Sequence, residues 1–293
     1  DRLYGDSTYV PEHRRFPHCI FLGTETGSQI HYWLGVRDNK YVIGDFIWTG
    51  IDYLGETGRY PSRGNRSGFI DIAGGKKPGF YQREAYWSKD PVLQLFVLTG
   101  EKPENSWQFQ PAMLKWNWPA NTNVTVRAAT NCDEVELFLN DHSLGRKNVS
   151  HNVYATDWSI GYKAGELKAV GYSKGRLVAT SKLITTGTAV KLQINRITLP
   201  VASDLALFEI GVADKNGLNV IDATDVVTVN VEGAGRLIGL DTGELVYDGL
   251  FKTNKRNTYH GRLLVTVQRT EPAGEIRLMA TAPGLSPANV VVK

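Results

Sequence analysis

Two short stretches near the start of the chain each place a chemically capable side chain after an apolar run. The run 20–22 precedes Glu25, and the run 43–47 precedes Trp48 and Asp52. A carboxylate and a large aromatic ring at the ends of two buried strands are typical of barrel enzymes, which carry their chemistry at strand ends. We therefore take these stretches as the functional centre and the chain after residue 100 as scaffolding.

Glu25 is the first candidate for catalysis. An ionised glutamate can attack the anomeric carbon of a sugar and form the covalent glycosyl-enzyme of a retaining glycosidase. That role needs rigid placement at a strand end, which the preceding residues 22–24 supply. The alternative interpretation is an ordinary acid at the end of a strand, and the spacing alone does not decide between the two.

Three further side chains in the second stretch could contact a sugar. The indole of Trp48 could stack on the apolar face of a pyranose ring, or it could pack in the core. Asp45 and Asp52 could bind sugar hydroxyls, or they could cap local structure. The histidines are isolated and show no metal-ligand spacing, so we predict neither a metal site nor a cofactor.

The elements that position these residues follow the order strand, helix, strand, loop, helix, which is typical of an α/β fold with parallel strands. The Gly- and Pro-rich residues 55–79 are predicted to form a long structureless loop of functional importance. We predict Pro11 in the first turn of a short helix ended by Pro17, strands at 20–22 and 42–48, and helices at 28–36 (N-cap Ser28) and 80–88. In the last helix, Tyr81 and Ala85, and with them Tyr86 and Trp87, are expected to face inward.

The pattern changes after Pro91 to short alternating strands separated by turns. About seven strands between residues 92 and 183 match an immunoglobulin-like sandwich. A linker at 185–190 leads to a second strand-rich unit, in which Asn216-Gly217 indicates a tight turn between two strands.

Composition and charge exclude several classes of protein. Hydrophobic residues make up 42% of the chain and the net charge is +3. Basic residues are scattered, which argues against a nucleic-acid groove, and no run approaches the ~20 apolar residues of a membrane span. Cys19 and Cys132 lie in different predicted domains, so no disulfide framework is expected. The start at Asp1 has neither an initiator Met nor a signal peptide, which suggests a piece of a longer protein.

Several segments resemble glycoside hydrolase family 2, in particular its multidomain β-galactosidase-like members from gut Bacteroidetes. The stretch 41–56 is the most specific of them. The segments are 23–28, 41–56, 68–74, 81–87, 135–147, 212–217, 231–235 and 260–265. This resemblance implies that 1–90 is the C-terminal part of a (β/α)8 TIM barrel, incomplete here. It implies an immunoglobulin-like β-sandwich at 91–187 and a second one at 188–293.

The same resemblance implies roles for two residues. Glu25 matches the catalytic nucleophile, and Trp48 matches the aromatic side chain that contacts the sugar at the non-reducing end. The acid/base glutamate of the family follows an Asn, and Glu12, Glu56 and Glu84 do not. We therefore expect this chain alone to be inactive and the complete enzyme to be a retaining exo-β-glycosidase, in the first place a β-galactosidase.

The expected partner is a carbohydrate, with no nucleic acid and no membrane, and the complete enzyme could form a homo-oligomer. A periplasmic or secreted location follows from the resemblance only. Two alternatives stay open. One is a β-glucuronidase or β-mannosidase of the same family. The other is a non-catalytic carbohydrate-binding or structural module that uses exposed aromatic side chains, with these candidates: Trp107, Trp116, Trp118 and Trp158.

Overall fold

The computed structural model describes residues 6–58, 60–105, 107–200 and 204–293, and the described chain is mostly β-structure. Its helices are α1 (Asp6–Arg15), α2 (Ile30–Arg37) and α3 (Pro78–Trp87). In the described ranges, none of the helices combines the length and the apolar character that a membrane span requires.

The chain divides into two compact units. Unit 1 comprises the described residues up to Tyr53, together with Asn65–Asp71 and Lys76–Thr185. Unit 2 comprises those of Leu54–Gly64, Ile72–Gly75 and Thr186–Lys293. The barrel segment and the first sandwich predicted from the sequence therefore lie together in unit 1, apart from two short loop segments.

The first sheet of unit 1 is a parallel pair of strands, β1 (Phe21–Thr26) and β2 (Val42–Ile47). Helix α2 connects them and packs on β2. This confirms the predicted strand–helix–strand order with parallel strands. The helix begins at Ile30 with Gln29 as its N-cap, so the prediction of Ser28 as the N-cap was wrong.

Helix α1 differs from its prediction because Pro11 lies in the helix interior rather than in the first turn. Tyr9 of this helix is buried, with its ring centroid 6.2 Å from that of Phe21 in β1. Tertiary packing of this kind supplies most of the stability of a short helix, and it outweighs the missing N–H of the proline. The helix ends at Arg15, before Pro17, as predicted.

The Gly- and Pro-rich stretch 55–79 is more ordered than predicted. Two-residue strands β3 (Tyr53–Leu54) and β4 (Gly64–Asn65) pair at its start, and Ile70 forms bridges with Ile51 and Lys76. These pairings satisfy backbone groups that a structureless loop would leave to water.

Helix α3 begins at Pro78, two residues earlier than predicted. It buries Ala85 and Tyr86, as predicted, whereas the indole of Trp87 is 51% exposed and does not face inward.

The remainder of unit 1 is a sandwich of two four-stranded sheets, with strand orders β10-β7-β5-β6 and β12-β11-β8-β9. The two sheets share one hydrophobic core, which contains Trp116 and Trp158. The strands are β5 (Leu93–Leu98), β6 (Ala112–Met113), β7 (Asn123–Thr130), β8 (Glu134–Leu139), β9 (His142–Asn148), β10 (Ala155–Gly161), β11 (Glu166–Ser173) and β12 (Arg176–Ile184).

The described residues of unit 2 form an eight-stranded sheet in the order β16-β18-β14-β13-β20-β19-β15-β17. In the middle of this order, β13 and β20 are joined by a single parallel bridge between Lys191 and Ser286. The strands before and after this bridge contribute side chains to one hydrophobic core. The strands are β13 (Lys191–Ile197), β14 (Leu205–Ala213), β15 (Val226–Gly233), β16 (Gly235–Asp241), β17 (Lys255–Asn257), β18 (Arg262–Arg269), β19 (Ile276–Ala282) and β20 (Leu285–Val292).

The turn predicted at Asn216-Gly217 is confirmed, and a buried carboxylate organises it. Gly217 has a φ of +82°. Asp214, which is fully buried, accepts hydrogen bonds from the backbone N–H groups of Gly187 (2.9 Å), Asn216 (2.9 Å) and Leu218 (3.0 Å). These bonds favour the ionised form and hold the pKa of Asp214 below its ordinary value.

We predict that Asp214→Asn destabilises unit 2 by about 1–3 kcal/mol at neutral pH, because the amide offers a neutral acceptor in place of a charged one. A carboxyl with a depressed pKa stabilises the folded state above its unfolded pKa of 3.8, and this stabilisation is lost as the pH falls through the folded pKa. The free energy of unfolding from urea titrations should therefore fall in acid for the native chain and vary less for the variant.

Asp248→Asn is the matched control, because Asp248 is an exposed aspartate of the same unit. An equal loss of stability in both variants would contradict the role given to Asp214.

Candidate active site

The carboxyl ends of β1 and β2 meet at one edge of the parallel pair. Thr26, the last residue of β1, pairs with Ile47, the last residue of β2. One residue further, the backbone N–H of Trp48 donates to the carbonyl oxygen of Thr26 (2.9 Å). The structure therefore brings Glu25 and Trp48, the two main candidates from the sequence, to the same edge.

Glu25 presents an exposed carboxylate at this edge. Its side chain is exposed, while its neighbour Thr26 is buried, as expected when successive residues of a strand point to opposite faces. Among the residues that the structure describes, none forms a side-chain hydrogen bond or ion pair with the Glu25 carboxylate. A carboxylate without an internal partner is available to react with a bound molecule.

Trp48 lies half-buried beside this edge. Its ring meets that of Tyr53 edge to face, with centroids 5.6 Å apart and an interplanar angle of 80°. Such an arrangement orients the indole while part of its surface stays accessible. The assignment of Trp48 as a sugar contact stays a prediction, as does that of Glu25 as the nucleophile.

Asp45 has a different environment from Glu25. Its side chain is 3% exposed, and its Oδ2 atom accepts hydrogen bonds from Thr26 Oγ1 (2.8 Å) and from Arg83 Nη2 (2.7 Å). The carboxylate thus connects β1, β2 and helix α3. The structure therefore gives Asp45 internal partners. That Asp45 contacts sugar hydroxyls stays a prediction.

Arg83 carries the balancing charge and is itself 3% exposed. Its guanidinium carbon lies 4.5 Å from the ring centroid of Trp87, 5.6 Å from that of Trp33 and 5.8 Å from that of Tyr86. Burial lowers the pKa of Arg83, and the charge of Asp45 opposes this effect. Aromatic faces and one carboxylate therefore replace the water that a guanidinium normally binds.

Asp52 is also held by internal partners. Its Oδ1 atom accepts hydrogen bonds from the Gly68 backbone N–H (2.8 Å) and from Lys77 Nζ (2.7 Å). Burial raises the pKa of Asp52 above its ordinary value, and Lys77 opposes this shift. A Cβ atom on Gly68 would lie 2.1 Å from the Asp52 nitrogen, so a residue without a side chain is required there. Binding of a sugar by Asp52 likewise stays a prediction.

Sequence reasoning missed the partners of the two aspartates, namely Thr26, Arg83 and Lys77. For each ion pair, the position of the cation in the sequence was one indication that it could be buried. Arg83 is a basic residue next to the inward positions of a helix, and Lys77 directly precedes the helix as its N-cap. Neither signal identifies which carboxylate the cation contacts, because the partners are far apart in sequence.

The described ranges contain no group of three or more His, Cys, Asp or Glu side chains that could hold a metal ion. Cys19 is exposed and Cys132 is buried, and both are free thiols. Glu25 and Trp48 stay the two candidate residues at this edge.

We predict that Asp45→Ala lowers the free energy of unfolding by about 3–5 kcal/mol, because it leaves the buried Arg83 charge without its carboxylate. Urea unfolding of the chain measures this change. The control is Glu166→Ala, which removes an exposed partner of Lys182 and should cost about 0.2–1 kcal/mol. Equal costs for both variants would contradict the importance of the Asp45–Arg83 pair.

Comparison with protein families gives two matches. Residues 191–291 match the family described as glycoside hydrolase family 2 C-terminal domain 5. Residues 121–179 match a family described as a domain of unknown function, DUF4982. The first match covers most of the strands of unit 2, and the second covers strands of the unit 1 sandwich.

Comparison with individual proteins gives relatives that are similar over nearly the whole chain. The β-galactosidase BoGH2A of Bacteroides ovatus is 30% identical over 98% of this chain and 32% of its own length. A β-glucuronidase of Formosa agariphila is 25% identical over 90% of this chain and 26% of its own length. A glycosyl hydrolase family 2 member from Bacteroides cellulosilyticus, whose crystal structure is known, has 29% sequence identity to this chain. The two structures superpose with a TM-score of 0.91 over 99% of this chain and 41% of the Bacteroides chain.

The chain spans about a third of the length of the β-galactosidase that it matches. The similarity covers both the edge with Glu25 and the sandwiches that follow it. The chain belongs to glycoside hydrolase family 2.

Proposed function

We propose that this chain supplies the nucleophile side of the active site of a retaining exo-β-glycosidase. One observation carries the proposal. At the edge formed by β1 and β2, Glu25 is exposed and has no side-chain partner among the residues that the structure describes, whereas Asp45 within β2 and Asp52 after it are each held by a cation. Glu25 is therefore the carboxylate of this edge that can attack a bound sugar.

The reaction begins with attack of a Glu25 carboxylate oxygen on the anomeric carbon. A glycosyl ester bond forms while the bond from that carbon to the leaving oxygen breaks, and the leaving oxygen takes a proton from a second carboxyl group. Water then attacks the anomeric carbon while the second carboxylate takes a proton from it, and the bond from that carbon to the Glu25 oxygen breaks, which restores Glu25. The two carboxyl groups must be about 5–5.5 Å apart for this mechanism.

Trp48 would provide the platform for the sugar at the non-reducing end. Its half-buried indole is oriented by Tyr53, so little side-chain freedom is lost when a pyranose ring stacks against it. Stacking at this position would set the distance between the anomeric carbon and Glu25.

We further propose that β1, β2 and α3 are the last elements of a (β/α)8 barrel in the complete enzyme. Barrel strands are buried on both sides by the interior and by the outer helices. Here the apolar side chains on and beside the two strands are largely exposed: Ile20 (69%), Leu22 (42%), Ile43 (62%), Phe46 (63%) and Ile51 (55%).

A cavity of about 470 Å³ beside β2 and α3 supports the same proposal. Its wall includes Ile47, Phe69, Phe80 and Trp87. Further barrel elements would cover this apolar surface, and they would also bring the acid/base carboxylate. The two sandwiches would be the immunoglobulin-like domains that follow the barrel.

The proposed substrate is a terminal β-linked galactose. The match to the β-galactosidase covers 98% of the chain at 30% identity, whereas a putative β-glucuronidase is 33% identical over only 64% and a β-glucuronidase is 25% identical over 90%. The longer coverage by the β-galactosidase supports this choice. The alternative of a glycan-binding module based on exposed aromatics has less support, because Trp116 and Trp158 are buried in the sandwich core.

We predict that this chain alone does not hydrolyse nitrophenyl β-galactoside, since the second carboxylate belongs to barrel elements outside it. In the complete enzyme, Glu25→Gln should lower turnover by more than about 10³-fold, because the amide cannot serve as the nucleophile. Turnover is followed by nitrophenol release, and Glu56→Gln is the control at an exposed glutamate. Turnover by the isolated chain that is lost on Glu25→Gln, or normal turnover by that variant of the complete enzyme, would contradict the proposal.

The choice of sugar has its own test. The complete enzyme should have a higher kcat/KM for nitrophenyl β-galactoside than for the matching β-glucuronide. A preference for the glucuronide would overturn the substrate while leaving the mechanism intact.

A further inference from the structure

We propose that Thr26 is a positioning residue for the reaction, which holds Glu25 and Trp48 in register through its contact with Asp45. This inference rests on the proposed function, because it takes Glu25 as the nucleophile. It assigns a role to a residue that has no reactive group of its own and that directly follows Glu25.

Thr26 is attached to β2 by both its side chain and its main chain. Its hydroxyl donates to Asp45 Oδ2 (2.8 Å) and also lies 3.3 Å from the carbonyl oxygen of Phe46. Its own carbonyl oxygen accepts the backbone N–H of Trp48 (2.9 Å). One residue therefore contacts the strand that carries Trp48 while being covalently linked to Glu25.

The acceptor of the Thr26 hydroxyl is itself fixed. The same Asp45 oxygen accepts from Arg83 Nη2 (2.7 Å), and both side chains of this ion pair are 3% exposed. Arg83 belongs to α3 and is enclosed by aromatic rings. A continuous set of contacts thus leads from the helix through Asp45 and Thr26 to the backbone of Glu25.

Gly23 makes room for this arrangement. A Cβ atom at residue 23 would lie 2.9 Å from Thr26 Cγ2 and 3.1 Å from Asp45 Cβ. The Tyr9 hydroxyl would lie closer still, at 2.7 Å, so a side chain at residue 23 would collide with Tyr9, Thr26 and Asp45 together.

Loss of the hydroxyl would act on Glu25 through the backbone. Thr26 is fully buried and its neighbour Glu25 is exposed on the opposite side of the strand, so a shift of residue 26 moves the base of the Glu25 side chain. Displacement of a reacting group by about 1 Å can cost on the order of 10²-fold in rate. Binding of a sugar that does not react should be affected much less.

The test uses Thr26→Val in the complete enzyme, because valine keeps the shape of threonine and removes the hydroxyl. The first-order rate of glycosylation is measured by rapid mixing with an activated nitrophenyl β-galactoside. The dissociation constant of galactose, a ligand that does not form the ester, is measured beside it. We expect a glycosylation rate lower by about 10- to 100-fold and a dissociation constant within about twofold of the native value. Thr26→Ser should restore most of the rate.

Thr130→Val is the matched control. Thr130 is equally buried and its hydroxyl also donates to a backbone carbonyl, that of Val92, but it lies in the sandwich. A merely structural role for Thr26 predicts the same small kinetic effect for both valine variants, and that result would overturn the positioning role. If Thr26→Val fails to fold, Thr26→Cys replaces it, since a thiol is a weak donor of similar size.

The two proposals fail in different ways. If the Glu25→Gln variant of the complete enzyme has the turnover of the native enzyme, both the proposed function and the positioning role are refuted. Turnover that depends on Glu25 but is unchanged by Thr26→Val refutes the positioning role alone.

Discussion

The ion pair between Asp45 and Arg83 is the interaction on which the functional edge depends. Both side chains are 3% exposed, and removal of either partner would leave a buried charge without compensation. The pair connects helix α3 to β2, and the Thr26 hydroxyl extends the connection to β1. The parallel pair of strands is thereby held to the helix that packs on the sandwich, and the strand ends keep a fixed relation to each other.

The three candidate carboxylates on and after β1 and β2 have two kinds of environment, and burial explains the difference. Asp45 and Asp52 are removed from water, and each acquires a cation and an additional hydrogen-bond donor. Glu25 is exposed, and no residue in the described part of the chain provides it with such a partner. Two of these carboxylates therefore connect elements of the fold, and the third has the exposure that the proposed reaction requires.

The sequence allowed the parallel strands and most sandwich strands to be predicted, because apolar runs and two-residue alternation are local signals. The roles of the aspartates were less accessible. Asp45 and Arg83 are 38 residues apart, and nothing near Asp45 in sequence shows that a helix supplies its cation. The interior position of Pro11 was missed for a related reason, since the contact of Tyr9 with Phe21, which helps to hold this helix, joins residues 12 apart in sequence.

The identity of the residue that forms the bond to the sugar is the most direct test of the role of this edge. A 2-deoxy-2-fluoro galactoside with a good leaving group forms the glycosyl-enzyme but hydrolyses slowly, so the ester accumulates and can be located by peptide mass spectrometry. In the complete enzyme we predict that the sugar is attached to the peptide containing Glu25, at that residue. Attachment to any other carboxylate would contradict the assignment of Glu25 as the nucleophile.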